Sequence, residues 1–127
     1  MTMKEEGKIY DLEDRTLKFA KTARDFVKRL PRTTVNLEDG RQLIRASGSI
    51  GANYIEANEA LSKKDFLLRV KISRKEAKES RYWLNLVDTQ DVGELKIQQE
   101  ALIQEAKELM NIFGAIVRKS ESRNDQN

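Results

Sequence analysis

The sequence predicts an all-α protein, an antiparallel up-down four-helix bundle, on three observations. Four stretches carry apolar or small residues at alternating steps of three and four, the repeat of one face of an α-helix. They are joined by short connections, several with a Ser, Asn or Asp followed three residues later by an acid, the pattern that opens a helix. One Pro, six Gly and a charged third of the chain suit helices better than a sandwich or barrel.

Residues 1–8, MTMKEEGK, show no periodicity and are expected to fray. From Ile9 the seam Ile9, Leu12, Thr16, Phe19, Ala23, Phe26, Leu30 predicts a helix over about 9–30, which Pro31 ends by removing a donor and disfavouring helical backbone before it. Asn36, followed by Asp39, is the expected cap of a second helix over about 37–60. Its seam is Leu43, Ser47, Ile50, Tyr54, Ala57 and Leu61. Gly48 and Gly51 each cost about 1 kcal/mol in a helix interior. The small residues around them therefore predict close approach of another backbone, with this helix innermost and Gly51 the place for a bend.

Ser62 with Asp65 predicts a very short turn and a third helix over about 63–88, with Phe66, Val70, Ser73, Ala77, Ser80, Leu84 and Val87 inward. Asp91 with Glu94 predicts the fourth, over about 92–118. Its seam is Leu95, Gln99, Leu102, Ala106, Leu109, Phe113 and Ile116, widened by Ile103, Met110 and Val117. Short turns make sequential helices antiparallel neighbours. The polar residues 119–127 are expected to be a disordered tail, so the bundle proper is 9–118.

The chain has no Cys and no His, which removes disulfides, thiolate metal sites and the commonest general base. With no signal peptide and no apolar run of membrane-spanning length, a cytoplasmic protein without a membrane role is expected. The net charge of +3 is too small to imply nucleic acid by itself. Its distribution says more, since residues 62–90 carry eight Lys and Arg against four acids.

The run QLIRASGSIGANYIEANEALSKKDFLLRVKISRKEAKESRYWL, Gln42 to Leu84, closely resembles the four-helix bundle family encoded by intervening sequences in bacterial 23S ribosomal RNA genes, sometimes labelled ribosomal protein S23. DLEDRTLKFA through to Pro31 fits the same family's first helix, so the resemblance covers about Asp11 to Val87. Many members have Pro where Gly51 stands. The resemblance implies a four-helix bundle and a homo-oligomer. A related protein, the accessory protein of diversity-generating retroelements, is a pentameric barrel that binds nucleic acid and a reverse transcriptase. The resemblance thus implies a pentamer, RNA or DNA, and a nucleic-acid enzyme as partners, although the intervening-sequence members themselves have no established activity.

Candidate chemistry concentrates on the third helix. With its seam facing the core, Lys64, Lys71, Arg74, Lys75, Lys78 and Arg81 share an outer arc roughly 25 Å long at about 1.5 Å per residue. Such an arc can follow a phosphate backbone without reading sequence, and the same pattern also describes a solvated face partly paired with the acidic fourth helix. Ile72, Trp83 and Leu86, with Ile97 and Ile112, are apolar beyond the needs of one seam and are the expected oligomer interface. The pairs Glu56 with Glu59 and Glu76 with Glu79 suggest metal. They lack the His of di-iron bundles, however, and lie too far apart along the hairpin to share an ion. Arg45 with Glu79 is the expected salt bridge instead. Ser47 and Ser49 lack a base, and Tyr54 with Asn53 suits a structural polar contact. No catalytic residue, metal or cofactor is expected. The reading is a non-enzymatic oligomeric bundle that binds RNA or DNA non-specifically, against a structural or protein-interaction bundle with no nucleic-acid role.

Overall fold

The long three-and-four seams become four helices in the computed structural model, which describes the backbone of residues 3–126 and the side chains of residues 12–123. They are α1 (Met3–Arg29), α2 (Thr34–Asn58), α3 (Lys63–Leu86) and α4 (Gly93–Gln126), and no strand occurs among the described residues. Each helix packs on its chain neighbours and α4 returns to α1, while among the described residues the diagonal pairs approach only through side chains in the core. The result is an antiparallel four-helix ring in which no helix is innermost, contrary to the place expected for α2. The α2–α3 pair packs most intimately and α1–α4 least.

The seams enclose one core. Leu12, Phe19, Ala23, Phe26, Leu43, Ile50, Tyr54, Val70, Ala77, Leu84, Leu102, Leu109 and Phe113 are all buried in it. Tyr54 and Phe113 meet across the bundle with ring centroids 5.6 Å apart. Each fully buried aliphatic or aromatic side chain contributes about 1.5–3 kcal/mol. Buried hydroxyls bond backbone carbonyls: Thr16 donates to the Leu12 carbonyl, Ser80 to that of Glu76, and Ser73 crosses from α3 to the Ile50 carbonyl of α2 at 2.9 Å. Ile9 lies outside the described side chains.

Seam periodicity overreaches at one point. Leu61 is fully exposed because α2 stops at Asn58, where the Glu59 and Ala60 amides turn back to the carbonyls of Glu56 and Ala57. Ser62 then caps α3 as expected, accepting from the Asp65 amide at 3.0 Å.

Two expected caps are corrected. Thr33 opens α2, its hydroxyl accepting from the Asn36 amide at 3.1 Å, so α2 starts three residues before Leu37 and Asn36 falls inside its first turn. Asn36 is buried there and acts as a clasp between the two connections at one end of the bundle. Its side-chain amide donates to the Pro31 and Asp88 carbonyls at 3.0 and 2.8 Å, and its oxygen accepts from the Asp88 amide at 2.8 Å. Asp91 does not cap α4. Gln90 and Asp91 both take left-handed backbone, φ 53° and 60°, and the Asp91 carboxylate pairs instead with Lys96 at 3.5 Å. Gln99, on the α4 seam, reaches back to the Leu84 and Val87 carbonyls at 2.8 and 3.3 Å, satisfying acceptors at the α3 C-terminus.

The outer bounds also differ. α1 begins at Met3, inside the stretch expected to fray, and α4 runs to Gln126 rather than ending near Arg118. After Gly114 the chain holds no further Gly or Pro to break the helix, and Glu121 is tied to Lys71 of α3 at 3.3 Å. No helix among the described residues is long and apolar enough to cross a membrane.

Candidate nucleic-acid interface

The register of α3 is fixed by its inward residues, and the arc follows from it. Lys64, Lys71, Arg74, Lys75 and Lys78 are exposed and Arg81 is half-buried. Lys64 and Lys71 flank a shallow cleft of about 450 Å³ that also includes Ser62, Asp65, Leu67 and Leu68. Lys71 pairs with Glu121, and Lys75 lies 3.7 Å from Glu79 one turn along its own helix. Among the described residues Arg74, Lys78 and Arg81 make no ion pair. Among the described residues the acidic α4 therefore neutralises only Lys71 of the six. Exposed pairs of this kind contribute about 0–1 kcal/mol and yield to a competing anion.

The α4-facing edge of the arc contains a residue that sequence reasoning missed. A Cβ placed on Gly114 of α4 would meet Nη1 of Arg118 at 3.3 Å and Nε of Arg74 at 3.6 Å. Two guanidinium groups from different helices therefore meet over one glycine. A helix-interior Gly was the available signal, since it marks close approach of another group.

The opposite edge of α3 carries the acids. Arg45 of α2 reaches Glu79 at 3.2 Å, as expected, and Glu76 at 3.4 Å. Glu76 is 6% exposed, and its other oxygen is buried without a partner among the described residues. A buried carboxylate half satisfied in this way depends on Arg45. Glu56, in the last turn of α2, and Glu59, just past its end, are both exposed. No group of three acids suited to a metal occurs among the described residues.

The serines and the central polar pair are committed to the fold. Ser47 is buried and donates to the Ile44 carbonyl, while Ser49 accepts from Asn53, whose own oxygen accepts from Arg69 of α3. Burial pushes the Tyr54 phenol above its ordinary value, against a hydrogen bond with Asn58 that lowers it, and the Glu13 carboxylate adds to the rise. Asn58 in turn donates to Glu13 at 2.8 Å, which ties α2 to α1.

The five residues expected at an oligomer interface occupy two faces. Ile72 and Trp83 are half-buried and Leu86 is 45% exposed. Ile72 and Trp83 lie four residues before and seven after Glu76, so they share its α2-facing edge. The Trp83 indole N–H is buried without an acceptor among the described residues, and the ring stands edge-on to Tyr82 at 5.2 Å. Ile97, 71% exposed, and the half-buried Ile112 lie on the α1-facing side of α4. That side is marked by Arg15, which bonds Glu105 at 2.7 and 2.8 Å and Glu108 at 2.9 Å. The Glu105 bond raises the Arg15 guanidinium further above its ordinary value. Hydrogen bonds from Gln104 and Arg15 hold the Glu108 carboxyl below its own. Within the ring of helices the α2–α3 and α1–α4 sides are opposite, so the two apolar sets do not form one patch.

A family model described as 23S rRNA-intervening sequence protein matches residues 11–115. Among solved structures, a protein of unknown function from the S23 ribosomal protein family of Bacteroides thetaiotaomicron is similar to this chain. It shares 30% identity and a TM-score of 0.69, over 83% of this chain and 96% of that one. No curated protein matches.

Proposed function

The chain belongs to the 23S rRNA-intervening sequence protein family, and from that premise we propose that it is a non-enzymatic, oligomeric, cytoplasmic bundle that docks RNA or DNA on the outer face of α3. The observation that carries the reading is the arc Lys64, Lys71, Arg74, Lys75, Lys78 and Arg81, of which, among the described residues, only Lys71 is paired with another helix. A row of exposed cations on a rigid helix releases counterions from a phosphate backbone and binds without reading sequence. Assembly strengthens it, because copies of the arc around a closed ring sum their fields. A pentamer is the assembly that the family resemblance implies, and a nucleic-acid enzyme is the partner that such a scaffold would present with its substrate.

The test is a titration of labelled single-stranded RNA and duplex DNA at varied salt. Binding is expected at low salt, with log K falling linearly in log salt. Reversing Lys71, Lys75 and Lys78 together to Glu should abolish it while the helical content is kept. Absence of binding at low salt, or indifference to the triple reversal, makes the protein a structural or protein-docking bundle instead.

A further inference from the structure

Arg118 was not among the cations that the sequence singles out, yet its guanidinium lies over the same glycine as that of Arg74. Two like charges brought together from different helices repel, and ordinarily a carboxylate stands between them. Among the described residues neither arginine makes a hydrogen bond or ion pair, and Glu121, one turn beyond Arg118, is engaged by Lys71. Gly114 is buried, so the floor beneath the two groups is backbone with no side chain to fill the space. Planar guanidinium groups present parallel N–H donors that match the oxygens of a phosphate.

We propose that Arg74 and Arg118, seated over Gly114, form a two-arginine clamp for a single phosphodiester of a bound nucleic acid, bridging α3 and α4. The proposal rests on the reading of the α3 face as a nucleic-acid surface and deepens it. The arc supplies diffuse attraction, while the clamp fixes where one phosphate sits and so sets the register of the strand on the bundle. Lys78, one turn along α3 from Arg74 and exposed without an ion pair among the described residues, is placed to meet a neighbouring phosphate.

The experiment is a salt titration of labelled single-stranded RNA against the full chain and four variants: Arg118→Gln, Arg118→Lys, Gly114→Ala and the Lys71, Lys75, Lys78 triple reversal. Arg118→Gln should weaken binding about tenfold and reduce the salt slope by about 0.7, the value for one phosphate contact on a single strand. Arg118→Lys keeps the charge but loses the fork, and should still weaken binding several-fold. Gly114→Ala changes no charge and meets only the flexible ends of two side chains, so the thermal midpoint should hold or rise while affinity falls. If the wild type binds and the triple reversal abolishes binding, but Arg118→Gln or Arg118→Lys binds like the wild type, the clamp is wrong and the α3 face stands. If the wild type does not bind at all, both are wrong.

Discussion

Gly48 and Gly51 stand one turn apart in α2 and face different neighbours. A Cβ on Gly51 would lie 2.8 Å from the Thr16 hydroxyl and 3.2 Å from Thr16 Cβ, whereas on Gly48 it would reach only the tip of Arg24 at 3.4 Å. Thr16 cannot yield easily, because its hydroxyl is held by the Leu12 and Glu13 carbonyls at 2.8 and 3.0 Å. Gly51→Ala should therefore destabilise by about 1–3 kcal/mol through overpacking, with Gly51→Leu worse. Gly48→Ala should gain up to about 1 kcal/mol of helix propensity. Urea unfolding of the two variants checks the contrast, and equal effects of the same sign would mean that α1 does not approach α2 at Gly51. The sequence marks both glycines as sites of close approach, but their difference depends on the rotation of α2 against α1, which no local pattern reveals. Arg45 with Glu79 was legible for the opposite reason: a short turn fixes the register of the α2–α3 hairpin, and the pair follows from it.

At the scale of elements, the seams and the Ser62 cap were readable because spacing and capping are local. Asn36 was not. Its type and its place before Asp39 fit a cap, but its partners include Asp88, 52 residues away, and Thr33 already caps the helix. Both donations of its side chain go to carbonyl oxygens, so Asn36→Asp would set a carboxylate against two acceptors. Asn36→Asp and Asn36→Ala should each cost about 2–3 kcal/mol, the price of leaving buried groups unpaired, with Asp no better than Ala. Chemical denaturation measures this, and a near-wild-type Asp variant would show that the clasp does not hold the two connections together. Leu61 was misjudged for a related reason: the apolar period continues beyond the point where the backbone has already turned away.

At the scale of the whole molecule, the separation of the two apolar sets bears on assembly. A two-fold dimer uses one patch twice, whereas a closed ring joins two different faces. Leu86 and Ile97, exposed on two different helices, suit the second arrangement. Light scattering should find an oligomer at micromolar concentration, which Leu86→Glu and Ile97→Glu each disperse. Mixing the two variants should restore a dimer, since each retains the face that the other has lost. A monomeric wild type, or a mixture that stays monomeric, removes the ring. The cations of α3 were legible in one helix, but Arg118 was not, because its meeting with Arg74 depends on how two helices align. The edge between α1 and α4 sets the order in which the bundle comes apart. It is the sparsest pairing, with no connecting turn, and much of its polar grip is the Arg15 and Arg29 pairs at the surface. Partial opening thus releases α1 as a unit while the α2–α3 hairpin stays closed, so amide protons along the hairpin exchange with solvent last.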